Sequence, residues 1–116
     1  MAHQPAWTDE ELTLAIELLD RRGWYGGNAK TPEYIELSRL LRAANFPRVD
    51  VFDESFRSVN SISLKMGNLR GANDEVSGGL RAAERERAFV DKFLRNPQEM
   101  RAKARALRAR VQHLVE

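Results

Sequence analysis

Trp7-Thr8-Asp9-Glu10-Glu11-Leu12-Thr13-Leu14-Ala15-Ile16-Glu17-Leu18-Leu19 is the stretch whose reading decides the fold. Thr8 followed three residues later by Glu11 is a capping box, in which each side chain satisfies a backbone N–H of the other at the start of a helix. Trp7 before the cap and Leu12 at the fourth helical position fit a hydrophobic staple. Leu12, Ala15, Ile16 and Leu19 then recur at helical spacing, a period no strand can use. Asp9, Glu10 and Glu11 crowd the first turn. There they complement the helix macrodipole, so the cluster needs no catalytic explanation. Gly23 ends the helix at about Arg22.

Working outward, four more helices follow and no strand. Thr31-Pro32 opens the second, whose apolar stripe is Tyr34, Leu37, Leu41 and Ala44 with Leu40 alongside, and Asn45-Phe46-Pro47 stops it. Val49, Val51 and Phe52 suggest a short extended piece. Ser58 caps a third helix over 59–69, ended by Gly71. Val59, Ile62, Met66 and Leu69 share its inner face, and Asn60, Ser61, Leu64, Lys65 and Asn68 the outer one. Gly67 inside it costs about 1 kcal/mol relative to Ala, which close approach of a neighbouring backbone would justify. A fourth helix is expected from about Leu80 to Leu94, with Phe89, Val90, Phe93 and Leu94 as its apolar side. Asn96-Pro97-Gln98-Glu99 reads as a second capping box. It opens a fifth helix whose Met100, Ala104, Leu107, Val111 and Leu114 form a heptad-like seam. The fold class is therefore all-α, a small helix-turn-helix-like bundle of about five helices with a basic C-terminal helix. Residues 1–96 are expected to form one helical domain, and residues 97–116 a helix that packs on it or leads to a further module.

Composition removes several chemistries. There are 116 residues, no cysteine and two histidines. Thiol chemistry, disulfides and Cys-ligated metal sites are absent, and a Ser/His/Asp triad or a histidine metal centre has too few histidines. No cofactor, no metal and no enzyme activity are expected. No apolar run approaches the roughly 20 residues that span a bilayer. With no signal-like start, a cytoplasmic location without membrane association follows by default. The net charge of +2 is unevenly spread: residues 1–40 hold four basic and seven acidic groups, residues 97–116 five and two. Such asymmetry suits a polyanion partner.

The outer face of the third helix carries the strongest functional signal. Asn and Lys can bond base edges in a major groove, Ser can bond phosphates, and Leu64 can touch a thymine methyl or the 5-methyl of a modified cytosine. Arg57, Lys65 and Arg70 flank it, with Arg42 and Arg48 upstream, as phosphate partners. The plainer reading is an amphipathic helix whose Leu64 packs under the loop 72–79. On the fifth helix, Arg101, Lys103, Arg105, Arg108 and Arg110 form either a phosphate-facing rail or the polar side of a packed or dimeric seam. Trp24 and Tyr25, on a glycine loop, are expected to fold back over the core, the alternative being a contact loop. Gly26-Gly27 lacks the Lys-Ser/Thr of a phosphate loop.

Three stretches taken in order resemble a known family. Residues Trp7 to Ile16, then Ile35-Glu36-Leu37-Ser38-Arg39-Leu40-Leu41, then Phe56-Arg57-Ser58-Val59-Asn60-Ser61-Ile62 with Lys65-Met66 and Asn68-Leu69, are similar to the helical N-terminal module ahead of HNH nuclease domains. That module occurs in McrA-like, modification-dependent restriction endonucleases. The resemblance covers about residues 7–70. It implies a non-catalytic duplex-DNA-binding module that reads modified cytosine, with Arg57, Asn60, Lys65 and Asn68 matching polar positions of the third motif. Residues 1–116 hold no His-Asn-His motif, so any nuclease the resemblance implies is expected either in a C-terminal domain beyond Glu116 or not at all. The Trp7-Thr8…Glu11-Leu12 opening is more weakly similar to Myb/SANT-like helical domains. The expected DNA contacts are therefore Arg57, Asn60, Ser61, Leu64, Lys65, Asn68 and Arg70, on duplex DNA in methylated or unmethylated form. The alternative is a protein-interaction module that forms a homodimer through the C-terminal helix.

Overall fold

Thr8 closes its capping box as the spacing predicts. The Glu11 N–H donates to Thr8 Oγ1 at 3.2 Å, and the Thr8 N–H donates to Glu11 Oε1 at 2.9 Å. From there a computed structural model, which describes residues 4–48, 50, 53–76 and 78–115, runs α1 over Asp9–Arg21, α2 over Pro32–Ala44 and α3 over Val59–Gly71. It continues with α4 over Glu84–Arg95, α5 over Pro97–Gln112 and a short 3-10 turn at His113–Val115. The fold is all-α, with no strand among the described residues. The extended piece expected at Val49, Val51 and Phe52 lies outside the described residues.

α1 is the axis of the molecule. Every residue from Glu11 to Leu19 is buried, so the helix is wrapped on all sides and shows no single apolar stripe. Leu14 and Leu18 face neighbours just as Leu12 and Ile16 do. Burial all round puts this helix at the centre of the core, with Glu11 and Glu17 carried inside as ion-pair partners. α5, α3, α4 and α2 pack around it. Most of the expected inner faces form: Tyr34, Leu37, Leu40 and Leu41 of α2, Ile62, Met66 and Leu69 of α3, and Val90 and Phe93 of α4 are buried, Ala44, Val59 and Phe89 are half-buried against them, and Leu94, at the edge of its helix, is exposed. The seam of α5 closes on the body, with Met100, Ala104, Leu107 and Val111 buried and Leu114 left exposed.

Three local expectations need correction. Trp24 folds into the core but Tyr25 does not; it is 74% exposed. The α1 terminus explains the split: Gly23 and Trp24 both take positive φ, and the Trp24 N–H returns to the Leu19 carbonyl at 2.7 Å, which turns one ring inward. Asn96 makes no side-chain cap to α5, and its amide turns back to the Lys92 carbonyl. Finally, α4 starts at Glu84, not Leu80. Gly78 and Gly79 adopt φ of +86° and +88°, and the chain then crosses α3 as a strap without regular secondary structure. The Leu80 N–H donates to the Gly67 carbonyl at 2.8 Å. A Cβ on residue 71 would lie 1.7 Å from the Leu80 carbonyl oxygen, and one on residue 67 would lie 3.0 Å from the Leu80 side chain. Gly67 and Gly71, one turn apart, thus make the slot that the strap fills. The close approach is by side chain and N–H at Gly67 and by carbonyl at Gly71.

Candidate nucleic-acid interface

The three stretches singled out in the sequence meet at one residue. Arg57 is 2% exposed and fixed from every side. Its Nε donates to Glu11 Oε2 at 2.7 Å and its Nη2 to Glu11 Oε1 at 2.9 Å, a bidentate pair. Nη2 also donates to the carbonyls of Pro5 and Ala6, each at 3.1 Å. Its guanidinium lies 5.0 Å from the Trp7 ring centroid and 4.8 Å from that of Phe56. Its own carbonyl accepts from Ser38 Oγ at 2.6 Å. Trp7, Thr8 and Glu11 from the first stretch, Ser38 from the second and Phe56-Arg57-Ser58 from the third are therefore one buried assembly. Arg57 is a structural cation and no DNA contact: a guanidinium enclosed by a carboxylate, two carbonyls and two rings cannot reach a phosphate.

That assembly aims α3. Ser58 follows Arg57 directly, and its hydroxyl accepts the Ser61 N–H at 3.2 Å. The outer face then divides. Its amino-terminal part is open, with Asn60 exposed, Ser61 half-buried and Leu64 62% exposed. Its carboxy-terminal part is occupied from within. Lys65 Nζ pairs with Glu86 Oε2 at 2.6 Å and lies 5.5 Å from the Trp7 ring. Asn68 Nδ2 donates to the Arg81 carbonyl at 2.7 Å, and Arg70 Nε to the Trp24 carbonyl at 2.7 Å. Lys65, Asn68 and Arg70 thus bind the α4 start, the strap and the glycine loop, instead of standing free as expected. Leu64 does not pack under the loop 72–79. Upstream, Arg42 donates to the carbonyls of Glu54 and Phe56, while Arg48 is exposed.

The strap adds two residues that the sequence reading had placed inside a helix. Leu80 is 47% exposed above Gly67, one turn from Leu64. Arg81, whose carbonyl holds Asn68, is itself exposed and has no ion pair among the described residues. The signal that could have found them is the Gly-x-x-x-Gly spacing of 67 and 71 together with Gly78-Gly79, which marks a close crossing of backbone.

On α5 the five cations divide as well. Arg101 pairs with Asp20 and Arg108 with Glu17, both on α1, while Lys103, Arg105 and Arg110 are exposed. The seam that would have made a homodimer is inside the molecule. Among the described residues no helix is long and apolar enough to cross a membrane. The chain matches no family model, and no curated protein or solved structure is significantly similar to it.

Proposed function

We propose that this chain is a duplex-DNA-binding module of the kind found ahead of HNH nuclease domains in McrA-like, modification-dependent restriction endonucleases. Its contact surface is a revised version of the one read from sequence. Asn60, Ser61 and Leu64 of α3 face the groove, and Arg81 of the strap supplies the phosphate contact that Arg57 and Lys65 cannot. The observation that carries this reading is the exposure of Asn60 and Leu64 on a helix held rigidly from behind by the Arg57–Glu11 pair. An amide is suited to an adenine edge, and an exposed leucine beside it to a pyrimidine methyl.

The test is fluorescence anisotropy with matched unmodified and cytosine-methylated duplexes over a salt series. Asn60→Ala should cost about 1–3 kcal/mol on the preferred duplex and less on others. Arg81→Ala should weaken binding to all duplexes alike and lower the salt slope by about one unit. A parent protein that binds neither duplex at low salt contradicts the reading.

One observation favours a second reading. Leu64 and Leu80 are both exposed, Leu80 lies over Gly67 one turn along α3 from Leu64, and Lys65 is neutralised by Glu86. Such a pair also suits the apolar anchor of a protein partner. Binding through it would be insensitive to salt and abolished by Leu64→Glu, with no dependence on Arg81.

A further inference from the structure

On the side of α1 that packs against α5, four arginines line an open recess of about 530 Å³, together with Glu17 and Asp20. They are Arg21 from α1 and Arg101, Arg105 and Arg108 from α5. Arg101, Arg105 and Arg108 recur at four and three residues, so they form a stripe beside the buried seam and not on the flank that carries Lys103 and Arg110.

The two carboxylates are fully engaged in holding guanidiniums. Glu17 is almost fully buried; its Oε2 accepts from Arg21 Nε and its Oε1 from Arg108 Nη2 at 2.8 Å. Asp20 takes Arg101 in a fork, Nε to Oδ2 at 2.7 Å and Nη2 to Oδ1 at 3.1 Å. Neither carboxylate is left to neutralise Arg105, which is exposed and has no ion pair among the described residues. The two carboxylates of the recess hold three guanidiniums, Glu36 adds a further attraction at Arg108, and Arg105 is left as the cation without an ion pair among the described residues. Crowding is felt at Arg108, where burial draws the guanidinium below its ordinary value against the attraction of Glu17, and the Arg21 charge adds to the lowering.

We infer that this recess binds a small, multiply charged phosphoryl anion, of the class of pyrophosphate or the polyphosphate end of a nucleotide. Guanidiniums present planar, paired N–H donors that match phosphoryl oxygens, and these are pre-oriented by the carboxylates behind them. The Nη groups of Arg21 and the whole of Arg105 remain to meet the ligand. The convergence on one recess suits a compact anion better than a duplex backbone, which offers its phosphates along a convex surface. The site shares no residue with the α3 surface, so either assignment can fail without the other.

The test is calorimetric titration of the full chain with inorganic pyrophosphate at constant ionic strength, with the unfolding midpoint followed in parallel. The parent should give saturable binding and a raised midpoint. Arg105→Gln, which breaks no internal bond, should weaken binding about tenfold or more, as expected for loss of a charge-assisted contact. Lys103→Gln on the opposite flank should leave it unchanged. Absence of both heat and midpoint shift beyond that of sodium chloride overturns the inference, as does Arg105→Gln binding like the parent. Displacement of pyrophosphate by a short DNA duplex at equal phosphate concentration would overturn the assignment to a small ligand.

Discussion

Arg57 shows how a polar residue in a promising stretch can belong to the interior. Its backbone takes φ +48°, a conformation that costs a non-glycine residue about 1 kcal/mol or more. The bidentate pair with Glu11, two carbonyls and two rings over-determine it. Removing one partner of a buried ion pair strands the other, so Arg57→Ala should lower stability by about 3–5 kcal/mol in urea unfolding. Arg57→Lys should recover little of this, because an ammonium cannot reproduce the fork or the stacking. Full stability in the alanine variant would contradict the assembly. Tyr34 makes a second residue-level statement, about pH. Burial raises its phenol above the ordinary value of 10.0. The folded state therefore keeps a proton that the unfolded chain releases. The stability this contributes is complete below pH 10 and declines as pH rises through the higher folded value. Tyr34→Phe should flatten that alkaline decline in a stability-versus-pH series. Periodicity cannot separate Arg57 from an exposed arginine. What marked it was its place between Phe56 and the Ser58 cap, and only the fold brings Glu11, 46 residues away, to meet it.

Among the elements, the helices with strong local signals were legible. α1 and α3 begin at the caps that Thr8 and Ser58 announce, and α2 at Pro32, because capping and proline geometry act within one turn. The strap was not legible, since its conformation is set by contacts with α3 thirteen residues back. Leu80 and Arg81 have no local reason to leave the helix. The slot over Gly67 and Gly71 provides one. Gly71→Ala would drive a methyl group into the Leu80 carbonyl, so it should cost about 1–3 kcal/mol and displace the strap, although alanine is the better helix former. A neutral or stabilising Gly71→Ala in thermal unfolding would contradict the slot. The buried seam of α5 leads to a parallel expectation. Leu107→Ala should destabilise the fold by about 2–5 kcal/mol and leave its sedimentation behaviour unchanged. A dimer that dissociates on this substitution would show that the seam serves a second copy.

Across the whole molecule, α1 separates two surfaces of different character. On one side lie the open turns of α3 with the strap; on the other, the arginine recess against α5. The net charge of +2 conceals this division. Arg57, Lys65, Arg101 and Arg108 are all paired internally. The overall helix content and core followed from apolar spacing, whereas the surface depended on which ion pairs form between distant segments, information that residue types alone do not carry. The most direct test of the α3 assignment is amide chemical-shift mapping of the full chain titrated with cytosine-methylated and unmodified duplexes. The account predicts perturbations centred on Asn60, Ser61, Leu64, Leu80 and Arg81, with the amides around Arg57 unmoved. Perturbations confined to α5, or none with either duplex at low salt, would contradict it.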